Sequence, residues 1–258
     1  MNESFSGREP SAPLASPEPV SPPQAVRVAL PFLVPMATYA ILGFTVLIYL
    51  LQMASMAILN GDDLPLMLGA RVTELIREGQ WWRFITPVFL HGSVTHIFFN
   101  MYALLSIGSF LEKHFGHGRF ILLYFLGAFA GNVFSFLLTD GYSVGASTAV
   151  FGLVAAEVIF FYQNRKLFGS QAKQAIGNAV FIIAVNLLIG LTPGIDNWGH
   201  VGGLLGGAMF AWFAGPRWEV TGISPDFHLQ DQREFREIVL GAGLVIVVFG
   251  ALAAWGML

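Results

Sequence analysis

The chain has 258 residues, 55% of them hydrophobic and only 11% charged, and its mean hydropathy is +0.66. A soluble domain carries about 25% charged residues, so most of this chain is expected in lipid rather than water. The net charge of −3 gives no basic field for nucleic acid, and the absence of cysteine excludes disulfides, thiolate catalysis and cysteine-bound metals.

Residues 1–28 are rich in Pro and Ser and hold no apolar run, which predicts a disordered cytoplasmic tail. They lack the basic end and apolar stretch of a secretory signal, so the first span is expected to stay in the mature protein. Seven spans are predicted, at Leu30–Met53, Phe84–Phe110, Phe120–Thr139, Ser147–Tyr162, Ile176–Leu191, Gly199–Ala214 and Ile238–Leu258. The stretch Ile58–Trp82 is mixed and partly amphipathic, and reads as a loop at the membrane interface. Residues 29–215 then form a six-helix core. Residues 216–258 add a polar connector (Pro216–Glu237) and a seventh transmembrane helix. The expected fold class is an all-α polytopic membrane protein.

Lys and Arg set the orientation. With the N-terminus cytoplasmic, the inner segments hold Arg8, Arg27, Lys113, Arg119, Arg165, Lys166, Lys173, Arg217, Arg233 and Arg236. The outer segments hold only Arg71, Arg77 and Arg83. This bias predicts a cytoplasmic N-terminus and an extracytoplasmic C-terminus, and the membrane is expected to be a bacterial plasma membrane.

Polar groups in lipid are costly and mark candidate sites. Three clusters fall at span starts on the outer side. In the first, His91 to Asn100, His96 and Asn100 lie one helical turn apart on one face and can donate to a developing oxyanion. The alternative is hydrogen-bonded glue between helices. In the second, a loop with Gly141 and Gly145 runs into a helix starting at Ser147. That helix is expected to span roughly 24 Å, short of a bilayer core of about 30 Å, so its start should lie below the surface. Among free backbone N–H groups Ser147 suits an oxyanion, but it also suits a plain N-cap. In the third, His200 opens a helix with Gly199, Gly203 and Gly207, and with Gly202 and Gly206, at a spacing that lets two backbones approach closely. A dimerisation or packing seam is the alternative there.

Taken together, the clusters supply a nucleophile (Ser147), a base (His200) and an oxyanion clamp (His96, Asn100), the minimum for acyl transfer. No acidic residue is clearly placed to orient His200, because Asp196 is expected in the preceding loop and Asp140 at a span end. The pattern predicts a Ser–His dyad, with Phe151, one turn after Ser147, packing on the imidazole.

These residues carry a resemblance. From about Trp82 to Gly207 the chain resembles the rhomboid family of intramembrane serine proteases. Trp82-Arg83 is similar to its WR motif, and His91, His96 and Asn100 to its HxxxxHxxxN pattern. Gly145 to Ser147 is similar to its GxS, and His200, Gly203 and Gly207 to its HxxGxxxG. The resemblance implies that Ser147 is the nucleophile and His200 the general base. It also implies that His96, Asn100 and the Ser147 backbone N–H form the oxyanion hole, and that Glu112 braces a loop. Two positions depart from the pattern. Thr148 stands where the family usually has Gly, which predicts a crowded nucleophile and narrower substrate choice. Phe151 stands where Tyr is common, which keeps the stacking and loses a phenol.

The implied partners are transmembrane protein substrates within the lipid bilayer, with no nucleic acid, no metal and no organic cofactor. The sequence sets no oligomeric state. Two rivals remain at this level. One is a catalytically inactive rhomboid-like scaffold. The other is a small transporter, for which Glu157 inside the fourth span is the main support.

Overall fold

The structure is a computed structural model that describes residues 33–223 and 226–258. The expected tail at residues 1–28 and the first residues of the first expected span lie outside the described residues.

The chain is mostly helical and forms a polytopic helical membrane protein. Five helical units are long and apolar enough to cross a membrane: Met36–Ile58, Val94–Phe115, His117–Leu138, Ser170–Ile189 and Phe235–Gly256. The first is α1 (Met36–Ile58). It ends where Asn60 and Gly61 adopt positive φ. The stretch expected as an interfacial loop folds into α2 (Leu64–Gly69), β1 (Arg71–Val72) and α3 (Thr73–Arg77).

The second span begins at Val94, not at Phe84. Trp81–Phe84 and Thr86–Phe89 form short 3-10 turns instead. Pro87 lacks the N–H a continuing helix needs, and Ser93 then caps α4 (Val94–Ala103) by accepting from His96 N. A π-turn at Leu104–Gly108 joins α4 to α5 (Ser109–Phe115), so this span runs past the expected Phe110.

Next come α6 (His117–Leu138), β2 (Tyr142–Ser143), α7 (Ser147–Gln163) and α8 (Arg165–Phe168). The following helix, α9 (Ser170–Ile189), starts earlier than Ile176, directly after Gly169 at φ +53°. After it comes α10 (Asn197–Ala214). The last helix, α11 (Phe235–Gly256), starts at a capping box between Glu234 and Glu237. The connector expected to be merely polar is a hairpin of β3 (Trp218–Ile223) and β4 (Asp226–Asp231), with Val220 opposite Leu229 and Trp218 opposite Asp231. Period-2 alternation of Val220 with polar neighbours, and of Phe227 and Leu229 with theirs, carried that signal.

Three helices form the centre: α6, α7 and α10 pack on one another, α9 packs on α7, and α11 packs on α6 and α10. With no water between helices to expel, contact rests on close packing. A Cβ on Gly207 would fall on the backbone of Gly152, and one on Gly203 on the carbonyl of Thr148. Bare backbones on α7 and α10 therefore meet directly. The hairpin is tied beneath this centre by Arg119 to Asp231 at 2.6 Å, and by Asn164, which accepts from Trp218 N at 2.7 Å.

Glu112 was expected to brace a loop. It instead accepts from Ala37 N at 2.8 Å, Thr38 N at 2.7 Å and Thr38 Oγ1 at 2.6 Å, and it contacts His117. The carboxylate satisfies the free N–H groups that open α1, so the brace runs from α5 to α1 and to the start of α6.

Candidate active site

The site forms where α4, α7 and α10 begin. Gly145 sits at φ +128°, a backbone region that an L side chain rarely adopts. A Cβ there would lie 2.7 Å from His96 Nε2 and 3.7 Å from Ser147 Oγ, so these two polar atoms flank one point beside Gly145. The loop is held by Gly145 N donating to Pro87 O at 2.9 Å and by Ala146 N facing His91 Nε2 at 3.4 Å.

Ser147 is the first residue of α7, and Ala146 is the cap residue, with no side-chain capping bond. The Ser147 hydroxyl is therefore not used as a cap. It lies 3.0 Å from His200 Nε2, within reach to donate its proton. Phe151 lies flat on the imidazole, with ring centroids 4.1 Å apart and planes 9° apart. His200 is buried, and its Nδ1 has no partner among the described residues. The geometry is that of a pair without a third, acidic member.

His96 and Asn100 share the face of α4 that turns toward this point. Asn100 is buried and donates one Nδ2 proton to His96 O at 3.0 Å, which leaves its second N–H unspent. His91 packs on His96 with ring centroids 5.0 Å apart. Gly203 and Gly207 bring α10 onto α7, so Ser147, His200, Phe151, His96, His91 and Gly145 gather here with the seam glycines, while Asn100 lies one turn along α4 from His96.

Thr148 is a correction. It does not crowd the nucleophile. Its side chain is buried between α6 and α10, where a Cβ on Gly131 would come within 2.6 Å of Thr148 Cβ and one on Gly199 within 3.1 Å of its Cγ2. Consecutive helix residues point about 100° apart, so with Ser147 facing His200 its neighbour must face the seam. The Trp82-Arg83 pair also stands apart from the serine. Trp82 Nε1 donates to Leu68 O at 3.0 Å, and Arg83 donates to Ala70 O at 2.6 Å and Met67 O at 2.7 Å, folding the first loop on itself.

Sequence reasoning passed over Gln52 and set Asp196 aside as a loop residue. Gln52 of α1 accepts from His91 N at 3.0 Å and donates to Asp63 Oδ2 at 2.8 Å. Asp196 lies not in a free loop but at the N-cap of α10, where it accepts from Gly199 N. A Gln inside the first apolar span was the available signal for Gln52.

Fold and site together define a class: a polytopic helical membrane protein with a serine–histidine pair set among its central helices. The chain belongs to the rhomboid family, because the rhomboid domain matches residues 78–217. It is 38% identical over 175 residues to the rhomboid protease GluP of Bacillus subtilis (strain 168), a match covering 67% of this chain and 34% of that protein. It is 32% identical over 190 residues to RHOMBOID-like protein 2 of Arabidopsis thaliana, covering 72% and 60% of the two chains. With the chloroplastic RHOMBOID-like protein 9 of Arabidopsis thaliana it shares 33% over 155 residues, 60% of this chain and 36% of that one. The matched region is thus about a third of the first relative's length and three fifths of the second's.

Proposed function

We propose that the chain is an intramembrane serine endopeptidase that cuts single-span membrane proteins through a Ser147–His200 dyad. The observation that carries this reading is the 3.0 Å approach of Ser147 Oγ to His200 Nε2, with Phe151 stacked on the ring. Ser147 Oγ attacks the scissile carbonyl carbon while His200 Nε2 takes the hydroxyl proton. The resulting oxyanion is held by the Ser147 N–H and by His96 and Asn100, each donor contributing about 3 kcal/mol at the transition state. The tetrahedral intermediate collapses, the leaving amine takes the proton back from His200, and the acyl-enzyme forms. Water, deprotonated by the same nitrogen, then releases the acid. The carboxyl product leaves with Ser147 regenerated.

In this reading residues 29–215 are the catalytic core, residues 1–28 a cytoplasmic tail, and residues 216–258 an appended hairpin and helix. The C-terminus lies outside, and cleavage products are released on the extracytoplasmic side. A helical substrate shields its own peptide bonds, so the cut falls where the segment unwinds easily. An inactive scaffold would have no need of both reacting groups in contact with their stacking partner.

The test is cleavage of a single-span substrate by the purified full chain in lipid vesicles. Ser147→Ala and His200→Ala are each expected to lower the rate by at least about 10³-fold. Cleavage persisting in both variants would overturn the reading.

A further inference from the structure

Among the described residues no carboxylate bonds the His200 ring, yet one sits one turn before it. The main-chain carbonyl of Asp196 accepts from His200 N at 3.2 Å. Its side chain caps the same helix: Oδ1 accepts from Gly199 N at 2.9 Å and from Thr139 Oγ1 at 2.7 Å, and Oδ2 accepts from Ser135 Oγ. Ser135 and Thr139 lie one turn apart at the end of α6. The carboxylate therefore bolts the first turn of α10 to α6 by bonds of the charge-assisted kind.

The fit depends on missing side chains. A Cβ on Gly199 would stand 2.8 Å from Asp196 Oδ2, and one on Gly131 would stand 2.6 Å from Gly199 O. On the far side lies Arg71, fully buried, donating Nη1 to Gly141 O at 2.8 Å and to Thr73 Oγ1 at 3.1 Å. Its Nε and Nη2 have no hydrogen-bond partner among the described residues. Burial pushes this guanidinium below its ordinary pKa, and the negative charge of Asp196, then of Glu74 and Asp140, opposes that push. β1 pairs Arg71 with Ser143 in the loop that leads to Ser147. One polar knot thus joins α6, the start of the His200 helix and the approach to the Ser147 helix.

We infer that Asp196 is the positioning residue for His200, acting through the backbone of α10 and not through the imidazole, and that it fixes where Nε2 meets Ser147. The inference rests on the protease reading above. Loss of the carboxylate strands the Ser135 and Thr139 hydroxyls and the Gly199 N–H that it accepts from. The helix start is then free to shift, and a displacement of about 1 Å costs about 100-fold in rate.

The experiment measures kcat, KM and Tm on the full chain in vesicles for Asp196→Ala and Asp196→Asn. Asp196→Ala is expected to lower kcat per folded molecule by about 100-fold with KM unchanged. Asp196→Asn retains an acceptor for Gly199 N and Thr139, and is expected to recover most of that loss. A role confined to stability would lower Tm and leave kcat per folded molecule intact. Where Asp196→Ala does not fold, the pair Ser135→Ala and Thr139→Val weakens the same clamp without altering α10, and is expected to lower kcat in the same way. A kcat per folded molecule at the wild-type value, in Asp196→Ala or in that double variant, overturns the inference. An Asn variant as slow as the Ala variant overturns it too, since charge and not bonding would then set the rate. Undiminished cleavage by Ser147→Ala would instead sink the protease reading, so the two failures are separable.

Discussion

Gly203→Ala adds one methyl group where α10 lies on α7, and the structure sets the size of the effect. The new Cβ would fall on the carbonyl oxygen of Thr148, with Thr148 C at 3.0 Å and Thr148 Cα at 3.3 Å. Carbon atoms rest at about 3.5–4.0 Å, and the three nearest atoms it meets are all backbone, so no rotamer change relieves that clash. The first turn of α10 must move off α7 by about 1 Å, given that contact range. His200 sits one turn earlier on the same helix, and its 3.0 Å contact with Ser147 would stretch beyond hydrogen-bonding distance. Two effects should follow: a kcat lower by about 100-fold and a stability lower by about 1–3 kcal/mol. Both are measurable on the purified chain in vesicles, as substrate cleavage and as Tm. Gly43→Ala is the control. Among the described residues nothing lies within 4 Å of a Cβ there, and Ala in a helix is better than Gly by about 1 kcal/mol. A Gly203→Ala chain that matched Gly43→Ala in both rate and Tm would refute the claim that backbone contact places the histidine.

Three further outcomes are expected. Thr148→Val replaces a buried hydroxyl that has no partner among the described residues. It should raise stability by about 1 kcal/mol and leave the relative rates on two substrates differing beside the scissile bond unchanged. If Thr148 lined the substrate pocket, that exchange would alter the ratio by about tenfold or more. Phe151→Tyr should keep near-normal cleavage, because the ring remains on His200. Phe151→Ala removes an aromatic pair worth about 0.5–1.5 kcal/mol beyond its buried area and opens a cavity. It should lower both kcat and Tm, and unchanged kcat would show that stacking does not hold the imidazole.

Much of the candidate site is legible because it puts polar residues where a chain in lipid otherwise has apolar ones. Ser147, His200, His96 and Asn100 stand out on those grounds, and the spacing of the glycines at 199, 203 and 207 predicts a close helix contact. What misled was local. Phe84 to Leu90 is as apolar as a span, but Pro87 and the Ser93 cap break it from α4. The polar connector hid two short strands, because six-residue alternation is a weak signal beside a membrane helix. Thr148 was misjudged because adjacency in sequence suggested adjacency in the site, whereas the helical turn sends the next side chain elsewhere.

The sequence by itself determined the solvent of this protein, its helical class and which polar residues make up the candidate site, since those follow from residue type and period alone. Only the tertiary structure decided which partners those groups have. Whether Ser147 caps a helix or faces a histidine, whether Asp196 floats in a loop or bolts α10 to α6, and which seam takes Thr148 all depend on contacts between helices far apart in the chain. The period of a helix fixes the face a residue occupies but not the neighbour that face will meet.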